Sequence, residues 1–149
     1  MRSPVTIFTI GFTKKSAMEF FEALRHSKAK HLLDIRLHNT SQLAGFTKRD
    51  DLRYFLRQIV GMEYHEIPLL APEDSFLSEY RKTKNWAKFE NSYLELIQQR
   101  HVENQIDPAL LRDGVVLLCS EPRPDHCHRR LAAEYLARSI HSDINIKHL

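Results

Sequence analysis

The chain has 149 residues, 42% hydrophobic and 28% charged, with 22 lysines and arginines against 19 acidic residues. That size and balance suit one soluble domain with a proper core. They argue against a membrane-spanning chain, since no apolar run approaches the ~20 residues that cross a bilayer, and a net charge of +3 is too small to indicate nucleic acid without a clustered patch.

The opening MRSPVTIFTIG lacks a small-residue cleavage site and reads as a first strand, Val5–Ile10, rather than a signal peptide. A cytoplasmic location is the resulting expectation, and two cysteines make no disulfide framework. Gly11 follows the strand and permits a tight turn. Ser16 and Glu19 form a capping-box pattern, opening a helix that turns Phe20, Phe21 and Leu24 to the core. His31–Ile35 is a short apolar run, expected as a buried strand. Arg36–Phe46 reads as a polar loop. Thr47 and Asp50 suggest a second helix start, after which Leu52, Phe55, Leu56 and Ile59 recur at helical spacing, and Gly61 ends the run.

Glu63–Ile67 reads as a third strand stopped by Pro68. Leu69–Asn85 is irregular, expected as a lid or surface loop with a short helical piece. Trp86, Phe89, Glu90, Tyr93, Leu94 and Ile97 form a helical stripe, most simply a core face rather than a base-stacking one. Val115–Cys119 is the fourth strand. Asp125 is a good N-cap for the last long helix, with Leu131, Tyr135 and Leu136 facing inward and Cys127 in the first turn. Ile144–Ile146 suggests a short final strand. Alternating strands and helices predict a single-domain α/β sandwich over residues 1–149, with a mainly parallel sheet of four to five strands.

In open parallel sheets, ligands bind beyond the carboxyl ends of the strands. That rule gathers Gly11, Phe12 and Thr13 after strand one, Asp34 and Arg36 after strand two, Tyr64 and His65 from strand three, and Cys119, Ser120 and Glu121 after strand four. The segment Val115–Arg130 (VVLLCSEPRPDHCHRR) concentrates the chemistry, because it holds both cysteines and leads into a helix start rich in histidine and arginine.

These same residues resemble the domain-of-unknown-function 488 family. The matching motifs are Thr9-Ile10-Gly11, Asp34-Ile35-Arg36, Gly45-Phe46, Tyr64-His65, Leu118-Cys119-Ser120-Glu121 and Cys127-His128-Arg129, spread over Val5–Arg138. The chain departs from the pattern after Asp-x-Arg. Many members carry a proline there, whereas this chain has Leu37-His38-Asn39. The resemblance implies an α/β domain with a site at these motifs and implies no established activity.

Each candidate has a functional and a bland reading. Cys119 and Cys127 are either thiols activated by the helix dipole and nearby cations or small packing residues. A Cys119–Cys127 disulfide is conceivable as a redox switch, subject to a separation that sequence does not fix. Asp34 is either a base or half of a structural ion pair with Arg36, since alternate residues of a strand share a face. His65 is either a general acid or base or a hydrogen-bonded strand residue. Glu121 either orients the cysteine loop or is a solvated turn residue. Gly11, Thr13, Arg36, His128 and Arg129 are the expected anion cradle, with free amides at the helix start. Of the consecutive Arg129 and Arg130 only one can readily face the site, because they diverge by ~100°.

Zinc at Cys119, His126, Cys127 and His128 is a poor match in spacing, with no Cys-x-x-Cys pair. No metal or cofactor is therefore predicted. Arg49, Arg53 and Arg57 lie on one helical face, diluted by Asp50 and Asp51, and read best as solvated. The leading reading is an enzyme acting on an anionic, phosphorylated or nucleotide-like substrate, by hydrolysis or group transfer. A cysteine-phosphatase loop does not fit, since Asp125 and Ala133 stand six residues after the two cysteines, where that loop needs arginine. The alternatives are a non-catalytic nucleotide or nucleic-acid binding module and a metal-binding or redox-sensing interaction protein. Neither a membrane partner nor an oligomeric state is indicated.

Overall fold

The computed structural model describes residues 5–40, 45–120, 126–140 and 144–149. Five strands, β1 (Val5–Gly11), β2 (His31–Asp34), β3 (Glu63–Glu66), β4 (Val115–Cys119) and β5 (Ile144–His148), form one sheet. Its order is β3-β2-β4-β1-β5, and every pairing is parallel. The helices are α1 (Ala17–Ser27), α2 (Arg49–Phe55), α3 (Asp74–Thr83), α4 (Trp86–Gln99), α5 (Pro108–Asp113) and α6 (His128–Ser139). The protein is thus an α/β domain with a parallel sheet between helices. Among the described residues no helix is long and apolar enough to cross a membrane.

Side chains alternate across the sheet and build two cores. Ile10, Leu32, Val116 and Leu118 meet Phe20, Phe21 and Leu24 of α1 and Leu52 of α2 on one face. Ile7, Leu33, Val115 and Leu117 meet Phe89, Tyr93 and Ile97 of α4, Leu111 of α5, and Leu131, Ala132 and Leu136 of α6 on the other. Because β2 and β4 are covered on both faces, they read as continuous apolar runs rather than alternating ones.

From β1 the chain moves through α1 and α2 toward one edge, then returns through α3–α5 to insert β4 between β2 and β1. The helices after β1 and β2 pack on the first face and the helix after β4 packs on the second. The chain therefore diverges around the carboxyl end of β4, the arrangement that places ligand sites in parallel α/β sheets. In register, Gly11 stands beside Cys119, and Asp34 beside Leu118.

Several local signals act as their chemistry predicts. Ser16 accepts from the Glu19 amide while the Glu19 carboxylate accepts from the Ser16 amide, both at 3.1 Å. Gly61 (φ +75°) ends a π-helical turn, Leu56–Val60, that extends α2, and its left-handed backbone suits glycine.

Other boundaries differ from the sequence reading. α2 begins after Lys48, which gives no side-chain cap. Thr47 instead belongs to a 3-10 turn, and its carbonyl accepts from Arg36 Nη2 at 2.7 Å. Residues 74–83 form a full helix, α3, which has no fully buried side chain and packs Phe76, Leu77 and Tyr80 half-buried against the core. Asp107 caps the unforeseen α5 through the Ala109 amide at 2.9 Å, with Pro108 opening the helix. Asp125 lies outside the described residues. Cys127 is itself the N-cap of α6, with extended backbone (φ −137°, ψ 139°), so it precedes the first turn rather than lying in it.

Candidate functional site

The last residue of β4, Cys119, points to the face covered by α6. There its sulfur is joined to that of Cys127, and both residues are buried. One residue into the helix, the wholly buried Arg129 brings Nη1 to 3.9 Å from Cys119 Sγ. Arg130 turns outward to Glu134 at 3.1 Å, as the angular separation of neighbouring helical residues requires.

His128 is also buried. Its Nε2–H donates to the Ile35 carbonyl at 2.7 Å, which fixes the tautomer because a carbonyl can only accept. Burial pulls its pKa down to about 4, with Arg129 adding to the lowering and the Ile35 bond and Asp34 opposing it. The ring is neutral at pH 7. It acts as a strut between the start of α6 and the end of β2, and carries no charge toward an anion.

The β1–α1 loop closes over the same rim. The amide and hydroxyl of Thr13 both donate to the Ser120 carbonyl, at 3.1 and 2.5 Å. Thr13 therefore clamps two strand ends together. Lys15 follows in this loop, and its pKa is lowered by partial burial and then by Arg129. Lys15 is thus a second cation near Arg129, and the Glu19 carboxylate offsets part of the repulsion between them. The sequence reading passed over Lys15; the available signal was its place four residues after Gly11.

Asp34 and Arg36 lie on the opposite side of the rim. Asp34 Oδ1 accepts from the Arg36 amide at 3.1 Å and Nε at 2.9 Å, and Oδ2 accepts from Arg36 Nη2 at 2.8 Å and the Tyr64 hydroxyl at 2.5 Å. Four bonds fill the lone-pair sites of a carboxylate. Asp34 is thus occupied in holding Arg36, and the Arg36 charge is matched where it sits, 5.5 Å over the Phe12 ring. Burial and then Asp34 raise the Tyr64 phenol well above its usual range, so it remains a donor.

His65 does not join these groups. It packs against His31, near the starts of β2 and β3, with the two ring nitrogens 2.9 Å apart. Burial, then His31, lowers its pKa. Glu121 lies outside the described residues. His126 packs against Trp86 with the rings tilted by 32° and their centres 5.0 Å apart, so the four ligands weighed for zinc are not assembled. Cys119, Cys127 and His128 do bring ligand atoms within 4.8 Å of one another, but joined sulfurs offer no thiolate to a metal. Arg49 is tied to Asp50 and Glu66, and Arg53 lies over Tyr64 at 5.2 Å.

The arrangement can do one thing well. A guanidinium in a dry site stabilises negative charge on a neighbouring sulfur, on a bound anion, or on both in sequence. No curated protein and no solved structure matches the chain. Residues 16–136, from the α1 cap to the core face of α6, match the family model described as Domain of unknown function DUF488, and the chain belongs to that family.

Proposed function

We propose that the protein is a cysteine-dependent enzyme acting on an anionic substrate at the carboxyl end of β4. The observation that carries this reading is the buried Arg129 guanidinium 3.9 Å from Cys119 Sγ. In the reduced protein, burial raises the pKa of the Cys119 thiol and Arg129 lowers it. A unit-charge pair about 4 Å apart is worth about 4 kcal/mol at an effective dielectric of about 20, enough to outweigh moderate desolvation.

Cys119 then serves as nucleophile, forming a bond to the electrophilic atom of the substrate while the leaving group departs with its electron pair. Arg129 and Lys15 hold the anion, Thr13 and His128 keep the strand ends in place, and Asp34 positions Arg36. Anion protection tests this. In reduced protein, inorganic phosphate or sulfate slows alkylation of Cys119, and the Arg129→Met variant loses the protection. Alkylation indifferent to both anions removes the reading.

A second reading, a non-catalytic nucleic-acid module, is favoured by a cleft lined by Arg53, Arg57, Met62, Glu63 and Tyr64. Its signature is an oligonucleotide affinity that falls steeply with salt and survives replacement of both cysteines by serine.

A further inference from the structure

At the other end of the sheet, the starts of β2 and β3 bring together three side chains from residues 31, 63 and 65. His31 and Glu63 are register partners, and His65 lies two residues along on the same face. His31 Nδ1 is 2.9 Å from His65 Nε2 and 3.5 Å from Glu63 Oε2, and the last two atoms are 3.8 Å apart. A triangle with these sides has its equidistant point about 2.0 Å from each corner, the length of Zn–N and Zn–O bonds.

The tautomer of His31 is set from behind. Asp113, at the end of α5, lies 3.1 Å from His31 Nε2. A carboxylate only accepts, so Nε2 carries the proton and Nδ1 presents its lone pair to the triangle. A carboxylate behind a histidine, fixing the ring and raising its basicity, is the usual support of a metal ligand. His31 is nearly buried, whereas the side chains of His65 and Glu63 are 28% and 70% exposed, so an ion has a path in and water can complete its coordination.

We infer that His31 Nδ1, His65 Nε2 and Glu63 form a site for a divalent cation of the zinc class, with Asp113 as its positioning residue. Two imidazoles and one carboxylate favour zinc over magnesium, which prefers oxygen ligands and keeps its waters. Binding replaces the hydrogen bond from His65 Nε2 to His31 and moves the His65 proton to Nδ1, so that Nε2 presents its lone pair with the ring still neutral, and it ties the edge strand β3 to β2 and the α5–β4 turn. This site is remote from Cys119 and stands or falls independently of the proposed activity.

The test is a zinc titration of metal-stripped protein, followed by calorimetry without reductant, so that the joined sulfurs of Cys119 and Cys127 offer no competing thiolate. The expected result is one zinc per chain, at least ten-fold weaker in His65→Ala and in Glu63→Gln, and ~10–100-fold weaker in Asp113→Asn. Magnesium is expected not to displace it. Because residues 63 and 65 are partly exposed, these variants keep the fold, which far-ultraviolet circular dichroism checks. Absence of stoichiometric binding, or binding unchanged in His65→Ala and Glu63→Gln, overturns the assignment.

Discussion

Replacing Asp34 with asparagine puts an amide donor where one carboxylate oxygen accepted two bonds, and whichever way the amide turns it meets donors. One orientation faces the Arg36 amide and Nε, the other Arg36 Nη2 and the Tyr64 hydroxyl. Among the described residues, the Thr47 carbonyl and the Phe12 ring are the contacts of Arg36 that the change leaves undisturbed. Asp34 and Arg36 are 1% and 6% exposed, so water cannot make good the loss. Breaking a buried pair from one side costs ~3–5 kcal/mol, on the order of 10 °C in Tm for a chain of this size. Equilibrium urea unfolding without reductant measures it. The cycle with Arg36→Met separates the pair from the two sites: each single change is costly, and the double variant costs at least ~2 kcal/mol less than their sum. A single Asp34→Asn cost below ~1 kcal/mol, or strict additivity, refutes the reasoning.

Other consequences are smaller. His128 has a folded pKa of about 4 against ~6.5 unfolded. The unfolded chain therefore takes up the proton first. The stability contributed by neutral burial is complete above about pH 6.5 and falls by about 3 kcal/mol as the pH drops toward 4. His128→Gln, which keeps a donor for the Ile35 carbonyl, flattens that slope in urea unfolding repeated from pH 7 to 4. Ser16→Ala removes the capping box and costs ~1 kcal/mol, read by thermal unfolding. Gly114→Ala places a methyl 3.1 Å from the Ala29 backbone at φ +98°, for about 1–3 kcal/mol. Gly61→Ala meets nothing within 4 Å and costs about 1 kcal/mol from backbone conformation alone; equal costs at the two glycines in the same unfolding assay count against the close approach.

The fold was legible because its strongest signals are local and period-driven. The runs at β2 and β4 are apolar on both faces, and the Trp86–Ile97 stripe repeats at helical spacing. The Ser16–Glu19 box and Gly61 act within five residues of themselves. What escaped depends on tertiary partners. α3 sets only the half-buried Phe76, Leu77 and Tyr80 against the core, and the start of α2 is displaced because the Thr47 carbonyl serves Arg36. In the candidate site, Arg129 was read from the helix start that follows β4, and strand-end logic gathered Cys119 and Thr13 at one rim, since in a parallel sheet topology alone does that. It could not separate the two faces of that rim, so Asp34 and Arg36 fall on one side and the cysteines on the other. Nor did it see that His65 turns toward His31, because that pairing spans 34 residues and rests on strand register.

The pH dependence of Cys119 alkylation in the reduced protein, read by peptide mass spectrometry, bears most directly on the proposed chemistry. Wild type, Arg129→Met and Arg129→Lys are compared, with circular dichroism confirming the fold of each. Cys119 is expected to react with an apparent pKa well below the ~8.5 of a free thiol, rising in Arg129→Met and staying low in Arg129→Lys. A Cys119 that is inert until the protein unfolds, or titrates alike in all three, contradicts a thiolate held by Arg129.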